Sequence, residues 1–383
     1  MESGDEPEIY VCDPVYTKDG VKGHTSYSLK GSRVPEPLIR RYKDFDALRK
    51  KLVERWPGIF IPNIPHKKKV GNKGKKIIGL RLKMINRFLN KLSKLEYLFN
   101  SEEMELFLQN TSSVSKTLEG IKLENYEDLL KKYTLAFTEY DDNFDTTTGK
   151  EEQDKFLKKL TEIYPKIKHF RSLVSQAKEK YKADQENYLA VINMLSVYEK
   201  ENLNTFVNSE EDKLVFFNMN NIEICENISK VQEQVINPYD RLYDAITEDY
   251  LNTEAMIEGL ETLKNLQDTY NKLQKNLNNT NTILTELQAG KSTVKTMFKK
   301  KEKEMSKLST EKEEIEKNIS NLGEIIKIAT FNMQNTIENF KTISLDNYYA
   351  ELFRIEGDTE KNGTIFDDLW ETVVKDKNIS EFN

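Results

Sequence analysis

Apolar positions along this chain change their period several times. Ile9-Tyr10-Val11 and Ser26-Tyr27-Ser28-Leu29 are short runs of strand type, set apart by the turn signal Lys18-Asp19-Gly20. A third extended segment around Leu38 to Tyr42 completes a small antiparallel sheet, and the spacing of Phe45, Leu48 and Leu52 predicts a helix directly after it, closed by Pro57-Gly58. Leu82, Ile85, Phe88, Leu89 and Leu92 define a second amphipathic helix, and Met104, Leu106, Phe107 and Leu108 a short last one. Strands followed by helices predict an α+β domain over residues 1–110, with a three-stranded antiparallel sheet. Arg41 and Tyr42 then fall at the end of its third strand.

The polar stretch Thr111-Ser112-Ser113-Val114-Ser115 marks a domain boundary and opens a linker over residues 111–148. Its broken apolar stripe (Leu118, Ile121, Leu123, Tyr126, Leu129, Leu130, Tyr133) suits either a packed linker helix or an amphipathic helix lying on a bilayer. From residue 149 to 383 the period becomes heptad-like. One seam passes through Phe156, Leu160, Ile163, Ile167, Phe170, Val174, Ala177 and Tyr181 and resumes at Tyr188, Val191, Leu195 and Tyr198. A second runs through Leu266, Tyr270, Leu273, Leu277, Thr280, Leu284 and Leu287, and a third through Ile315, Ile319, Leu322, Ile326, Ala329, Met333 and Phe340. Breaks near Asn208-Ser209-Glu210 and Ala289-Gly290 divide an all-α region into three helices, each longer than about 50 residues or about 75 Å. Pro165 and Pro238 fall inside these helices, where each removes a backbone donor and kinks the rod. One thin chain cannot bury all three stripes, so a dimer using the seams is expected, with Phe170 and Ile326 in its interface.

Composition agrees with long exposed helices: 37% of residues are hydrophobic and 32% charged. The net charge of -6 conceals a division, for residues 1–110 carry 22 Lys+Arg against 14 Asp+Glu while the remainder carries 36 against 50. No acid occurs between Glu54 and Glu96, a window that holds Lys68, Lys69, Lys73, Lys75 and Lys76 among other cations. With Val70, Ile77 and Ile78 between them, these five look like a loop that approaches a bilayer, where each lysine is worth roughly 1 kcal/mol at an anionic surface. A second basic cluster (Lys291, Lys295, Lys299, Lys300, Lys301) lies at the turn between the second and third long helices. Cys12 and Cys225 are far apart, which gives neither a disulfide framework nor a zinc site and suits a reducing, cytosolic setting. The N-terminus lacks the features of a signal peptide, and no run reaches the roughly 18 apolar residues of a bilayer span, so membrane contact is expected to be peripheral.

Catalysis finds no support. Gly71-Asn72-Lys73-Gly74-Lys75-Lys76 lacks the spacing and the Ser/Thr of a P-loop, and His24, His66 and His169 have no metal-ligand spacing. No enzyme activity, metal or cofactor is expected, and the acidic remainder disfavours nucleic acid.

The run Arg40-Arg41-Tyr42-Lys43-Asp44-Phe45, then Pro62-Asn63-Ile64-Pro65-His66-Lys67, then Arg81 at the head of an apolar helix, resembles the phox-homology (PX) domain, the phosphoinositide-binding module of sorting nexins. The likeness covers roughly residues 8 to 110; where the family commonly shows a further proline, this chain has Ile61. It implies that Arg41 grips a 3-phosphate, Tyr42 packs against the inositol and Lys43, often serine in the family, borders the phosphate. Lys67 would meet the 1-phosphate and Arg81 the 4- and 5-hydroxyls, which favours phosphatidylinositol 3-phosphate. A guanidinium suits the first role, because it offers paired donors and stays charged. Arg40, one strand position away, points to the opposite face and reads as a structural or solvated arginine.

A PX module followed by three heptad helices is similar to the PX-BAR sorting nexins, whose BAR domain is an antiparallel helical dimer that binds curved membrane. The second basic cluster would then lie at the BAR tip, against lipid. The resemblance implies a cytoplasmic protein, peripheral on early endosomes, that senses or induces curvature in endosomal sorting and retrograde transport. Its implied partners are membranes containing phosphatidylinositol 3-phosphate, a second copy or another sorting nexin, and a retromer-type cargo complex. The alternative is a tether or scaffold that joins a PX module to a straight coiled coil.

Overall fold

The computed structural model describes residues 8–19, 22–34, 36–65, 75–109, 113–141, 143–207, 209, 216–217, 219–289 and 301–373. Its sheet is antiparallel in the order β1 (Tyr10–Asp19), β2 (Lys22–Lys30), β3 (Leu38–Arg41). Alternation along the strands places Val11, Tyr27, Leu29 and Leu38 in the core. Helix α1 (Tyr42–Arg55) leaves β3 without a connecting loop. Asp44 makes that junction: its carboxylate accepts from the Arg41 backbone N–H at 2.8 Å, satisfying a donor at the start of the helix. Phe45, Leu48 and Leu52 are fully buried, and the Phe45 ring lies 6.3 Å from Tyr27 and 5.2 Å from Phe107.

Helix α2 (Lys75–Ser93) buries Ile85, Phe88, Leu89 and Leu92, and the short helices α3 (Glu96–Phe99) and α4 (Glu102–Leu108) follow. The Asn86 side chain on α2 acts as a surrogate strand. It accepts from Val11 N at 2.7 Å and donates to Val11 O at 2.9 Å, which satisfies the edge of β1.

The chain divides into two compact units, Met1–Tyr164 with Leu251–Lys341, and Pro165–Tyr250 with Thr342–Asn383. In the first unit α5 (Val114–Glu119) and α6 (Tyr126–Ala136) bury Leu118, Leu129 and Tyr133 against the sheet domain, so most of the linker stripe faces protein. Leu123 and Leu135 stay exposed. The Trp56 ring stacks on Tyr133 at 5.8 Å and also meets Tyr97 and Phe137. Beside it lies a charge cluster. Arg55 pairs with Glu124 and, at 2.7 Å, with Glu102, while Lys132 reaches Glu124 at 3.1 Å. Glu103, only 1% exposed, lies 3.5 Å from Arg55 and 3.8 Å from Lys132.

The same core continues into the long helices α7 (Thr146–Glu201), α9 (Pro238–Gln288) and α10 (Lys301–Val373), through Leu160, Met256, Leu260, Leu263, Leu322, Ile325, Ala329 and Met333. The Trp56–Ile64 segment lies directly on α9 and α10. Gly58, at φ +82°, would bring a β-carbon to 3.1 Å from Leu263 and 3.2 Å from Ala329.

The second unit has its own core, in which α8 (Asn221–Gln234) contributes Ile224 and Val231, α7 Leu189 and Ile192, and α10 Leu369 and Val373. Asn362, buried on α10, holds the break between α8 and α9: it accepts from Ile236 N at 3.0 Å and donates to Ile236 O at 2.6 Å.

Three expectations are corrected. Pro238 is not inside a helix but is the first residue of α9, where its missing N–H removes no helical bond. The region before it is a separate helix, α8, with Asn220 and Glu223 forming a capping box. The third heptad seam is also partly taken up within the chain. Leu322, Ala329 and Met333 are buried within the first unit and Ile326 and Phe340 pack against that core while remaining half-buried, so the middle of this seam is not a free stripe.

Burial alone would raise the pKa of Glu124, but the hydrogen bond from Arg55 and the charge of Lys132 outweigh it and hold the carboxyl below its ordinary value of 4.5. A depressed carboxyl stabilises the fold above the unfolded pKa, and that contribution is lost as pH falls through the folded pKa. The thermal unfolding midpoint is therefore expected to fall as pH drops below about 4.5. The Glu124→Gln variant should start lower and show a shallower decline; an identical acid profile in the two proteins would dismiss the cluster as a stabilising contact.

Candidate functional site

The candidate site is built where β3 becomes α1. Burial alternates along β3, with Leu38 and Arg40 inside and Ile39 and Arg41 outside. Arg40 is therefore structural. Its Nε and Nη2 donate to Phe107 O at 3.0 and 2.7 Å, Nη2 also reaches Gln109 O at 2.6 Å, and Nη1 donates to Ile39 O at 2.9 Å. It thus caps the end of α4, whose last carbonyls lack helical donors. Burial pushes its pKa down, partly offset by Asp44.

Arg41 faces solvent, and among the described residues its guanidinium has no hydrogen-bond or ion-pair partner. Lys43, in the first turn of α1, is exposed as well. Tyr42 between them is buried, and its hydroxyl donates to Pro65 O. Burial, and then the charge of Asp46, raise its phenol far above the ordinary range despite the opposing pull of Arg81, so it remains a neutral donor. Arg81, 6% exposed on α2, lies with its guanidinium 5.0 Å from the Tyr42 ring centre. The fold therefore gathers Tyr42 and Arg81, which are remote in sequence, beside the adjacent exposed cations Arg41 and Lys43. Such an arrangement can offer paired donors to an anion above an aromatic floor.

Other expected residues cannot be placed. Lys67, Lys68, Lys69 and Lys73, and Lys291, Lys295, Lys299 and Lys300, lie outside the described residues. Lys75 and Lys76 begin α2 and Lys301 begins α10, and the description covers their backbone alone. Sequence reasoning missed the supports of the turn before Lys67. Arg49 Nε donates to Pro62 O at 3.0 Å and its Nη2 pairs with Glu258 on α9; the Asn63 amide reaches Glu254 on the same helix. No local spacing signals contacts across such separations. Among the described residues no helix is long and apolar enough to cross a membrane.

Fold and site together define a PX module joined to a long helical domain of BAR type. Residues 32–111 match the PX domain family model. "Sorting nexin 1" of Arabidopsis thaliana is 30% identical over 174 residues, covering 42% of this chain and 42% of that protein. "Sorting nexin-18" of Mus musculus is 31% identical over 97 residues, covering 25% of this chain and 16% of that protein. The matched stretches thus span less than half of these relatives. The solved structure titled "The cryo-EM structure of the SNX-BAR Mvp1 tetramer" matches with a TM-score of 0.59 at 14% identity, covering 94% of this chain and 99% of that one. The chain carries a PX domain, has sorting nexins as relatives and adopts the SNX-BAR fold.

The two consecutive arginines are expected to fail differently. Arg40→Ala leaves the buried carbonyl of Phe107 without its paired donors and should lower stability by about 2–4 kcal/mol in denaturant titration. Arg41→Ala should change stability by less than about 0.5 kcal/mol. Equal losses would contradict the division of roles.

Proposed function

We propose that this protein is a peripheral membrane protein that binds phosphatidylinositol 3-phosphate and shapes or senses curved membrane in endosomal sorting. The observation that carries the reading is the Arg81 guanidinium stacked on Tyr42 next to the exposed Arg41. In this reading Arg41 grips the 3-phosphate, Tyr42 floors the inositol, Arg81 holds the 4- and 5-hydroxyls, and Lys43 and Lys67 border the phosphates. Lys68, Lys69, Lys73, Lys75 and Lys76 add contact with anionic lipid, as do Lys291, Lys295, Lys299, Lys300 and Lys301. The proposed division is a PX domain over 1–110, a linker over 111–148 and a helical domain over 149–383. Early endosomes as the location, retrograde transport as the process and a retromer-type cargo complex as partner belong to the same proposal.

Dimerisation, with a second copy or another sorting nexin, is supported by apolar residues in the second unit. Val191, Leu195 and Tyr198 on α7 are exposed, as are Ile343, Leu345, Tyr349 and Phe353 on α10; Val191 is 56% and Phe353 72% exposed. A soluble chain seldom presents so much apolar surface without covering it. Phe170 is also partly open, in keeping with a place at the edge of such an interface.

Vesicles of neutral lipid with and without phosphatidylinositol 3-phosphate test the binding. Arg41→Ala should reduce the specific component at least about tenfold, since a paired phosphate contact is worth more than about 1.4 kcal/mol. A folded variant with unchanged affinity would remove the site assignment.

Sedimentation tests the dimer. Tyr349→Glu combined with Phe353→Glu is expected to yield a monomer, because each carboxylate would be buried unpaired. The monomer should still bind a water-soluble headgroup while losing avidity for vesicles. A wild-type chain that is monomeric at micromolar concentration would end the dimer proposal.

A further inference from the structure

We infer that Glu254 and Glu258 of α9 are positioning residues for the headgroup site: they clamp the Pro62–Pro65 turn and so set the affinity of a site they do not touch. The inference rests on the preceding reading that Arg41, Tyr42 and Arg81 bind the headgroup. Glu254, Glu258 and Thr262 recur every fourth residue and form one stripe on α9. Two of them bond the segment that leads to the site directly, and Glu258 reaches it through Arg49 of α1. Thr262 Oγ1 accepts from Gly58 N at 2.9 Å, Glu258 pairs with Arg49 and Glu254 accepts from Asn63 Nδ2.

Each contact is relayed onward. Arg49, while held by Glu258, donates through Nε to Pro62 O at 3.0 Å. Asn63, oriented by Glu254, accepts through Oδ1 from Ile64 N at 2.9 Å, which fixes the local turn. The other oxygen of Glu254 accepts from Tyr164 Oη on α7 at 2.9 Å, so this carboxylate ties the turn to two helices of the same unit. Pro65 O then receives the Tyr42 hydroxyl, and the Tyr42 ring carries Arg81 at 5.0 Å. Ile59, Ile61 and Ile64 are all buried, so the segment cannot slide to relax a lost bond without exposing core. A pre-set turn spares the headgroup the cost of ordering it, which appears as affinity.

The experiment uses the full chain and the double variant Glu254→Ala/Glu258→Ala, alanine being well tolerated within a helix. Hydrogen exchange of peptides covering residues 57–65 reads the clamp. Calorimetric titration with water-soluble dibutanoyl phosphatidylinositol 3-phosphate reads the site, and binding to phosphatidylserine vesicles reads nonspecific charge. The double variant should exchange faster in 57–65 and bind the soluble headgroup about five- to tenfold more weakly, with phosphatidylserine binding undiminished. Glu254→Gln combined with Glu258→Ala, which keeps an acceptor for Asn63, should recover part of the affinity lost in the double alanine variant. Unchanged exchange in 57–65 overturns the clamp. Faster exchange with wild-type headgroup affinity overturns its role in positioning. If the wild-type chain binds no headgroup while the variant loosens the turn, the clamp stands and the headgroup assignment of the preceding subsection falls instead.

Discussion

The structure of the first unit depends on a close backbone approach that glycine makes easy. A β-carbon on Gly259 would come within 3.1 Å of Ile59 O and 3.0 Å of Met333 Cε, so α9 can lie against the Trp56–Ile64 segment because nothing projects between them. Gly58 supplies the complementary relief from the other side, with a φ of +82° that β-carbon-bearing residues rarely adopt. Once the two backbones are this close, side chains as short as Thr262 and as long as Glu254 can bond the segment directly. The sheet domain and the long helices of this unit then share one core, and the PX module is a built-in part of it.

The same economy governs the site. Consecutive arginines on a strand face opposite ways, and the protein uses the difference rather than suppressing it. Arg40 can be desolvated because Ile39, Phe107 and Gln109 supply carbonyl acceptors, which offsets the cost of burying its charge. Arg41, at the N-cap of α1, keeps its charge in water. Tyr42 does two jobs with one side chain, since its ring supports Arg81 and its hydroxyl holds the end of the turn.

Periodicity made much of this legible. The split between Arg40 and Arg41 follows from strand alternation, and α1 follows from Phe45, Leu48 and Leu52. The heptads located α7, α9 and α10 but not what covers the middle of the third seam, because a regular apolar stripe says that a face is buried and not which partner buries it. Ile326 packs within its own unit, while the exposed Ile343, Leu345, Tyr349 and Phe353 lie beyond the last seam position that the spacing marked. Helix α8 went unread because its amphipathic turn pattern is short and its capping box lies next to a stretch of weak periodicity. The clamp on the Pro62–Pro65 turn had no signature at all: Asn63 and Glu254 meet only because the chain returns along α9 after passing through α7 and α8.

Local charge counting also overstates what a membrane would meet. The stretch between Glu54 and Glu96 contains no acid, but the fold brings acids and carbonyls to several of its cations from elsewhere. Arg55 is taken up by Glu102, Glu103 and Glu124, and Lys91 donates to Asn252 on α9 at 2.8 Å. Just before this window, Arg49 is neutralised by Glu258. Arg55 and Arg49, paired with carboxylates, contribute little to the outward field, since a paired charge projects weakly over a Debye length of about 8 Å. Arg41 and Lys43 differ because their side chains project from the sheet–helix junction into solvent. Both precede Glu54 and so lie outside the acid-free window: counting charge along the chain marks one stretch, whereas pairing in three dimensions decides which cations face solvent unneutralised.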